Sequence, residues 1–172
     1  MARLRPGRTC RDITSQSWSR YSLRKPRKNY VRALPHTSLL IFNMGVRKDT
    51  YDLDLTLRPQ QSLQLRSNAL ESARQVVNKY MEAHIPLDYM FRVLVYPHNV
   101  IREHKMSTAA GADRTSRGMS LSFGKPVAIA ARIKEGQPIF QVKTMACNRN
   151  VAVSALRRAT VKLSGTYKIK VV

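Results

Sequence analysis

The chain reads as an α+β protein, and three features of the sequence lead there. Tyr51, Leu53, Leu55 and Leu57 alternate strictly with Asp52, Asp54, Thr56 and Arg58, the period of two that marks a strand with one buried face. Two later segments carry apolar residues at helical spacing. The order along the chain is strands, helix, strand, long loop, strands, helix, strand, which predicts two helices packed on a mixed or antiparallel sheet. With 172 residues and 43% hydrophobic content, one sizeable core is expected. A basic arm at 1–36 should therefore precede a single α+β domain at 37–172 that carries a long functional loop at 98–118.

Each element has a local reason. Leu39, Leu40, Ile41 and Phe42 form a short apolar run ended by Gly45, and the alternating strand follows. After a turn at Pro59, Leu63 and Leu65 continue the alternation. Ser67 or Asn68 then opens a helix, with Glu71 placed to close a capping box. Leu70, Ala73, Val77, Tyr80 and His84 give this helix its stripe, and Pro86 stops it. Phe91, Val93 and Val95 form a strand into the long loop, and Val127, Ile129, Ala131 and Ile133 form the strand beyond it. Glu135, Gly136 and Gln137 make a turn to the run Phe140, Val142 and Thr144. A second helix starts near Asn148 or Asn150, with Val151, Ala155, Leu156, Ala159 and Leu163 as its apolar stripe, and ends near Gly165. Tyr167, Ile169 and Val171 close the chain as a strand, and no internal repeat is present.

The charge is extreme. Against 10 Asp and Glu stand 31 Lys and Arg, giving +21 and a pI near 11.0, a field that favours a polyanionic partner, nucleic acid first. A membrane is a poor alternative: no run approaches the ~18 consecutive apolar residues of a spanning helix, and there is no long lysine-lined amphipathic helix. The two cysteines, Cys10 and Cys147, lie far apart without a CxxC pair. That excludes a disulfide scaffold and a structural zinc site, and fits a reducing cytoplasmic setting. The N-terminus has the Arg-rich, acid-poor composition of a mitochondrial transit peptide, but Pro6, Gly7 and Pro26 oppose the amphipathic helix such a peptide needs.

Three cationic regions are candidate contacts. In the arm, Arg3, Arg5, Arg8, Arg11, Arg20, Arg24, Lys25, Arg27, Lys28 and Arg32 face a single acid, Asp12. Trp18, Tyr21 and Tyr30 are interleaved among them, so rings can stack on bases while cations neutralise phosphates. In the stretch from His98 to Gly118, Arg102, Lys105, Arg114 and Arg117 outweigh Glu103 and Asp113, and no aromatic residue helps the segment to pack. A loop of that length in a compact chain is functional or disordered. Gly111, Gly118 and Gly124 allow close backbone approach to a phosphate or ribose, and Ser107, Thr108, Ala109 and Ala110 suit a crowded cleft. The third region follows from the absence of acids beyond Glu135: Arg157 and Arg158 on the second helix, and Lys168 and Lys170 on the last strand, lack local neutralisation.

Catalytic readings fare badly. His98, Glu103 and His104 in HNVIREH have neither HExxH nor HxxEH spacing, so they would not converge on one metal. GADRTSRG and FGKP lack the GxxxxGK[ST] spacing of a triphosphate loop, and Cys147 has no neighbouring histidine to activate it. No catalytic residue, metal or cofactor is expected. A basic RNA-binding protein or RNA chaperone is a reading that composition alone leaves open.

Longer motifs narrow the choice. YPHNVIREHKMSTAAGADRTSRGM from Tyr96, FGKP at Phe123 and AAR at Ala130 resemble the signature region of the archaeal and eukaryotic large-subunit ribosomal protein family L-ten-e, counterpart of bacterial L-sixteen. RPGRTCR from Arg5, NALESAR from Asn68, NKY from Asn78 and ALRRA from Ala155 agree, so the resemblance covers nearly the whole chain and is most like archaeal members. It implies a hammerhead-like α+β domain on large-subunit rRNA at the base of the central protuberance, in cytoplasmic ribosomes. A-site and P-site tRNA and neighbouring ribosomal proteins are the implied partners. It also implies a loop directed at the peptidyl transferase region, here Arg102, His104, Lys105, Met106, Gly111, Arg114, Arg117 and Gly118, that helps to position A-site tRNA. Peptide-bond chemistry would belong to RNA. In MSLSFGKP, Ser120 and Ser122 stand where relatives usually carry cations.

Overall fold

Alternation decides the layers, because burying one face of a strand exposes the residues between. A computed structural model describes residues 34–103, 110–111 and 124–172. In chain order they form β1 (Asn43–Gly45), β2 (Leu53–Pro59), β3 (Leu63–Arg66), α1 (Ser67–His84), β4 (Tyr89–Val93), β5 (Asn99–Glu103), β6 (Lys125–Ile133), β7 (Phe140–Thr144), α2 (Arg149–Thr160) and β8 (Tyr167–Val171), with a 3-10 turn at Ala146–Asn148. The architecture is α+β, as expected.

The sheet resolves into two. One has the order β1-β4-β7-β2-β8 and the other β3-β6-β5, and every pairing is antiparallel. Two neighbouring strands pass from one sheet to the other together. β2 leads into β3 past Pro59, which has no N–H for a ladder, while the partner chain turns between β6 and β7. Gly136 N donates to Pro59 O at 3.0 Å and Ile139 N to Leu57 O at 2.9 Å, which holds the crossing. Leu57 opposite Phe140 and Leu63 opposite Ile133 mark the register on either side.

The two helices pack on each other and close one core. Leu55, Leu57, Phe91, Phe140 and Val142 from the larger sheet, and Leu63, Leu65, Ala131 and Ile133 from the smaller, meet Leu70, Ala73, Val77 and Met81 of α1. Ala152, Ala155, Leu156 and Ala159 of α2 complete it, their small side chains letting the helices approach closely. The Phe91 and Phe140 rings meet edge to face at 5.4 Å, a favoured aromatic geometry. Of the expected stripes, Val151, Tyr80 and His84 fall at the border or outside, whereas Met81 is fully buried.

Two local expectations are corrected, and one apolar run is placed. The capping box does not form: α1 begins after Arg66 without a side-chain cap, and Asn68 Oδ1 accepts only from the adjacent Ala69 N–H. Glu71 is engaged elsewhere, its carboxylate accepting from Arg74 Nε at 2.8 Å and Nη2 at 2.6 Å. Arg74 is buried, with Nη1 3.1 Å from Met44 Sδ, and a guanidinium removed from water needs that paired carboxylate more than the helix needs a cap. The apolar run Leu39–Phe42 leads into β1 and lies outside the strand itself. Leu39 is buried, Leu40 and Ile41 are exposed, and pairing with β4 starts at Asn43. Second, the expected loop at 98–118 opens with strand: Asn99–Glu103 is β5, laddered to β6 with a register shift at Ile101 and Arg102.

Gly45 is needed where β1 ends. Its φ is +79°, and a Cβ there would lie 2.1 Å from the Tyr89 carbonyl oxygen, the oxygen that accepts from Val46 N.

The Glu71–Arg74 pair generates a prediction. Hydrogen bonding to Arg74 holds the Glu71 carboxyl below its ordinary value of 4.5 and raises Arg74. A depressed carboxyl contributes stability that is full above the unfolded value and is lost as pH falls through the folded one. Glu71→Gln should therefore lower stability by about 2 kcal/mol near neutrality, measured by denaturant unfolding, and the difference from the parent should shrink below about pH 4.

Candidate nucleic-acid interface

The same alternation that buries Phe91, Val142 and Leu57 pushes cations to the opposite face of the larger sheet. Arg92 stands opposite Gln141, Gln141 opposite Thr56, and Thr56 opposite Lys170. In the next row Met90 faces Lys143, and Lys143 faces Asp54; towards the other end Arg58 faces Lys168. Arg47 and Lys48, exposed on the connection between β1 and β2, flank this surface.

Its polar contacts separate anchored cations from available ones. Arg58 Nε donates to Thr56 Oγ1 at 3.1 Å, and its Nη1 reaches Gly136 O at 3.4 Å. Lys48 pairs with Asp88, whose hydrogen bond raises the lysine's pKa. Lys143 lies 3.6 Å from Asp54, which also accepts from Gln141 Nε2 at 2.6 Å. No ion pair engages Arg47, Arg92, Lys168 or Lys170 among the described residues. Of these surface cations only Lys168 and Lys170 stand out in the sequence, as cations without local acids. Arg92 in FRV and Lys143 in VKT carry the signal, a cation between two buried strand residues, but their assembly into one surface depends on which strands are neighbours.

The second cationic place is the helix pair. Arg157 and Arg158 are exposed in the last turn of α2, where cations also suit the negative end of the helix dipole. The Arg158 guanidinium lies 4.3 Å from the Tyr80 ring centroid, and that ring packs on His84 at 4.1 Å. Stacking holds the charge in place without neutralising it. Arg158 is thus held beside α1, with Arg157 next to it in the same turn.

The third place is the neck of the long internal segment. β5 and β6 are laddered as far as Glu103 and Lys125, so both ends of the intervening chain stand side by side. Arg102 Nη1 donates to Gly124 O at 3.0 Å across this neck, making Arg102 a strand residue that braces the base. Gly124 has φ +70°, and a Cβ would approach the Glu103 carbonyl carbon to 2.9 Å. Gly111 is exposed with φ +78° and open space around it. The remaining candidates, Arg3, Arg5, Arg8, Arg11, Trp18, Arg20, Arg24, Lys25, Arg27 and Lys28 in the arm and His104, Lys105, Met106, Arg114, Arg117 and Gly118 in the segment, lie outside the described residues.

Catalytic geometry is missing among the described residues. They hold no cluster of three His, Cys, Asp or Glu side chains able to bind a metal. His98 bonds through Nδ1 to Tyr96 O and His84 to Tyr80 O, while Glu103 sits at the far end of β5, roughly 16 Å of strand beyond His98. Nor is any helix among them long and apolar enough to cross a membrane.

Residues 18–170 match the family model described as ribosomal protein L16p/L10e. The chain belongs to the L16p/L10e ribosomal protein family. Relatives named large ribosomal subunit protein uL16 are similar to it along nearly their whole length. That of Methanococcus aeolicus is 41% identical over 167 residues, covering 96% of this chain and 92% of its own. Those of Archaeoglobus fulgidus and Thermofilum pendens are 39% and 40% identical, covering 91% and 93% of this chain and 91% and 92% of theirs. Membership in the L16p/L10e family makes the chain a structural ribosomal protein and not an enzyme, and the similarity to archaeal relatives agrees with the sequence motifs.

The neck of this L16p/L10e domain is testable. Gly124→Ala forces a side chain into a left-handed φ and against the Glu103 backbone, so thermal unfolding should move down by about 4–8 °C, corresponding to about 2 kcal/mol. Gly111→Ala shares the left-handed φ but meets no atom of the described residues within 4 Å, so it should move unfolding by less.

Proposed function

We propose that this protein is a constituent of the large ribosomal subunit in cytoplasmic ribosomes, that it binds large-subunit rRNA at the base of the central protuberance, and that it helps to position A-site tRNA. The observation that carries the reading is the family match over residues 18–170 in a chain of net charge +21. The archaeal relatives bear the name of a large-subunit protein. Arg58 directly opposite Lys168 supports it physically: like charges on paired strands cost stability in water, and a phosphate between them would reverse the sign.

Roles divide along the charge map. The arm cations Arg3 to Lys28 with Trp18, together with Arg157 and Arg158, hold rRNA by neutralising phosphates and stacking. The segment from His104 to Gly118, with Lys105, Met106, Gly111, Arg114 and Arg117, reaches the peptidyl transferase region and meets the acceptor arms of A-site and P-site tRNA. Arg102 braces its base through Gly124. Neighbouring ribosomal proteins complete the surroundings, and the RNA carries the chemistry.

Sedimentation tests this directly. After a high-salt wash the protein should stay with the large subunit in about stoichiometric amount; release by the wash would favour a basic RNA chaperone instead. A second measurement concerns the segment. Since Glu103 and Gly124 already stand together, replacing residues 105–122 by a short Gly-Ser linker should leave the melting temperature of the domain unchanged. The same replacement should reduce A-site tRNA binding to reconstituted subunits severalfold.

A further inference from the structure

Where the connection between β1 and β2 meets the outer face of β4 and β7 lies a cleft of about 280 Å³ lined by the cations Arg47, Lys48, Arg92 and Lys143 and by Asp49, Tyr51, Met90 and Gln141. The connection is fastened along its length. Val46 N donates to Tyr89 O at 2.9 Å, Tyr51 Oη donates to Val46 O at 2.9 Å, and Lys48 pairs with Asp88. Such a wall is set before any ligand arrives, which lowers the ordering cost of binding.

The donors and acceptors in the cleft are unevenly committed. Lys48 and Lys143 have carboxylate neighbours in Asp88 and Asp54. The arginines do not: Arg92 gives Nε to the neutral Asn43 Oδ1 at 3.0 Å and keeps its Nη donors, while Arg47 makes no ion pair among the described residues. Asp49 also lines the cleft but makes no ion pair with either arginine among the described residues; two guanidinium groups free of ion pairs against one carboxylate leave a net positive site that suits a phosphate, which they recognise by paired hydrogen bonds. Gln141 is oriented by chemistry: the Asp54 carboxylate only accepts, so the Gln141 amide turns Nε2 towards it and leaves Oε1 as an acceptor. An exocyclic amino group of a nucleobase is a donor of the right kind. The Tyr51 ring and the Met90 thioether supply the apolar wall that a base needs.

We propose that this cleft receives one unpaired RNA nucleotide, its phosphate at Arg47 and Arg92 and its base against Tyr51 and Met90 with Gln141 Oε1 accepting from the base edge. The proposal rests on the ribosomal RNA-binding reading above and adds a specific pocket to it. The volume is at the lower end of the ~300–1,000 Å³ typical of small-ligand cavities, matching a single nucleotide and too small for a helical groove. Paired RNA would offer the phosphate but keep its base stacked inside the helix. The rest of the outer face favours the same division, since its cations Arg58, Lys168 and Lys170 have no aromatic side chain among them in the cross-strand rows, so backbone is held across the sheet and a base only in the cleft.

Full-length protein carrying Arg92→Gln or Tyr51→Leu, compared with the parent, tests the pocket against a single-stranded RNA of about ten nucleotides and a blunt duplex of equal length. Arg92→Gln should weaken single-strand binding about 5–10-fold and reduce the log–log salt slope by about one phosphate's worth. Tyr51→Leu should weaken it about tenfold with an unchanged salt slope, and duplex binding should change less than about twofold in both. With 4-thiouridine in the single strand, photocrosslinks should fall on the peptides containing Tyr51 or Met90 and disappear in Arg92→Gln. Equal losses on duplex and single strand, or crosslinks confined to other peptides, would overturn the pocket while leaving the ribosomal reading intact. Release of the parent protein from large subunits in the high-salt wash would instead remove the reading on which the pocket rests.

Discussion

Burial of one face of the larger sheet beneath two helices is the constraint on which the rest of the molecule depends. Leu55, Leu57, Phe91, Phe140 and Val142 must all point inward to meet α1 and α2, and a strand that does this cannot choose where its intervening residues go. Arg92, Lys143, Arg58, Lys168 and Lys170 are therefore driven to the outer face. A slip of one residue in any of these strands would put a cation into the core, where an unpaired charge costs several kcal/mol. The positive surface is thus a consequence of the core's register.

The few acids are spent close to home. Glu71 neutralises Arg74, the one described arginine that is buried, and Asp88 and Asp54 sit beside Lys48 and Lys143. Arg47, Arg92, Lys168 and Lys170 are left to solvent or to a polyanion. That distribution explains how a chain with 31 Lys and Arg against 10 acids can still fold: the interior needs almost none of the charge, and repulsion on the outside is relieved by the ribosomal RNA expected of an L16p/L10e protein.

Much of the architecture could be read from local pattern. The alternation in Leu53–Pro59 and Phe140–Thr144, the turn at Gly136 and most of the stripes of α1 and α2 appear where periodicity places them, because each is decided by neighbours within a few residues. What escaped was decided by partners distant in sequence. The division into two sheets comes from the joint crossing of β2–β3 and β6–β7, and no single segment shows it. Glu71 has the spacing of a capping residue, but Arg74, buried against the distant Met44, claims its carboxylate. β5 was hidden because Asn99, Arg102 and Glu103 give it the composition of a loop; only Val100 faces the core fully, and pairing with β6 makes it a strand. The cleft residues Arg47, Tyr51, Arg92 and Gln141 come from separate segments, so no motif could have announced them. Resemblance of the segment after His98 to a ribosomal family was legible in the residues themselves, although its first part is a strand that braces the fold.

The central claim is that uncompensated charge on a self-sufficient core is matched by folded RNA. Its most direct test is the salt dependence of full-length protein binding to a large-subunit rRNA fragment. The account predicts that log affinity falls linearly with log salt, with a slope of about −0.7 to −0.9 for each of several phosphates neutralised. Tight binding with a slope near zero would contradict it.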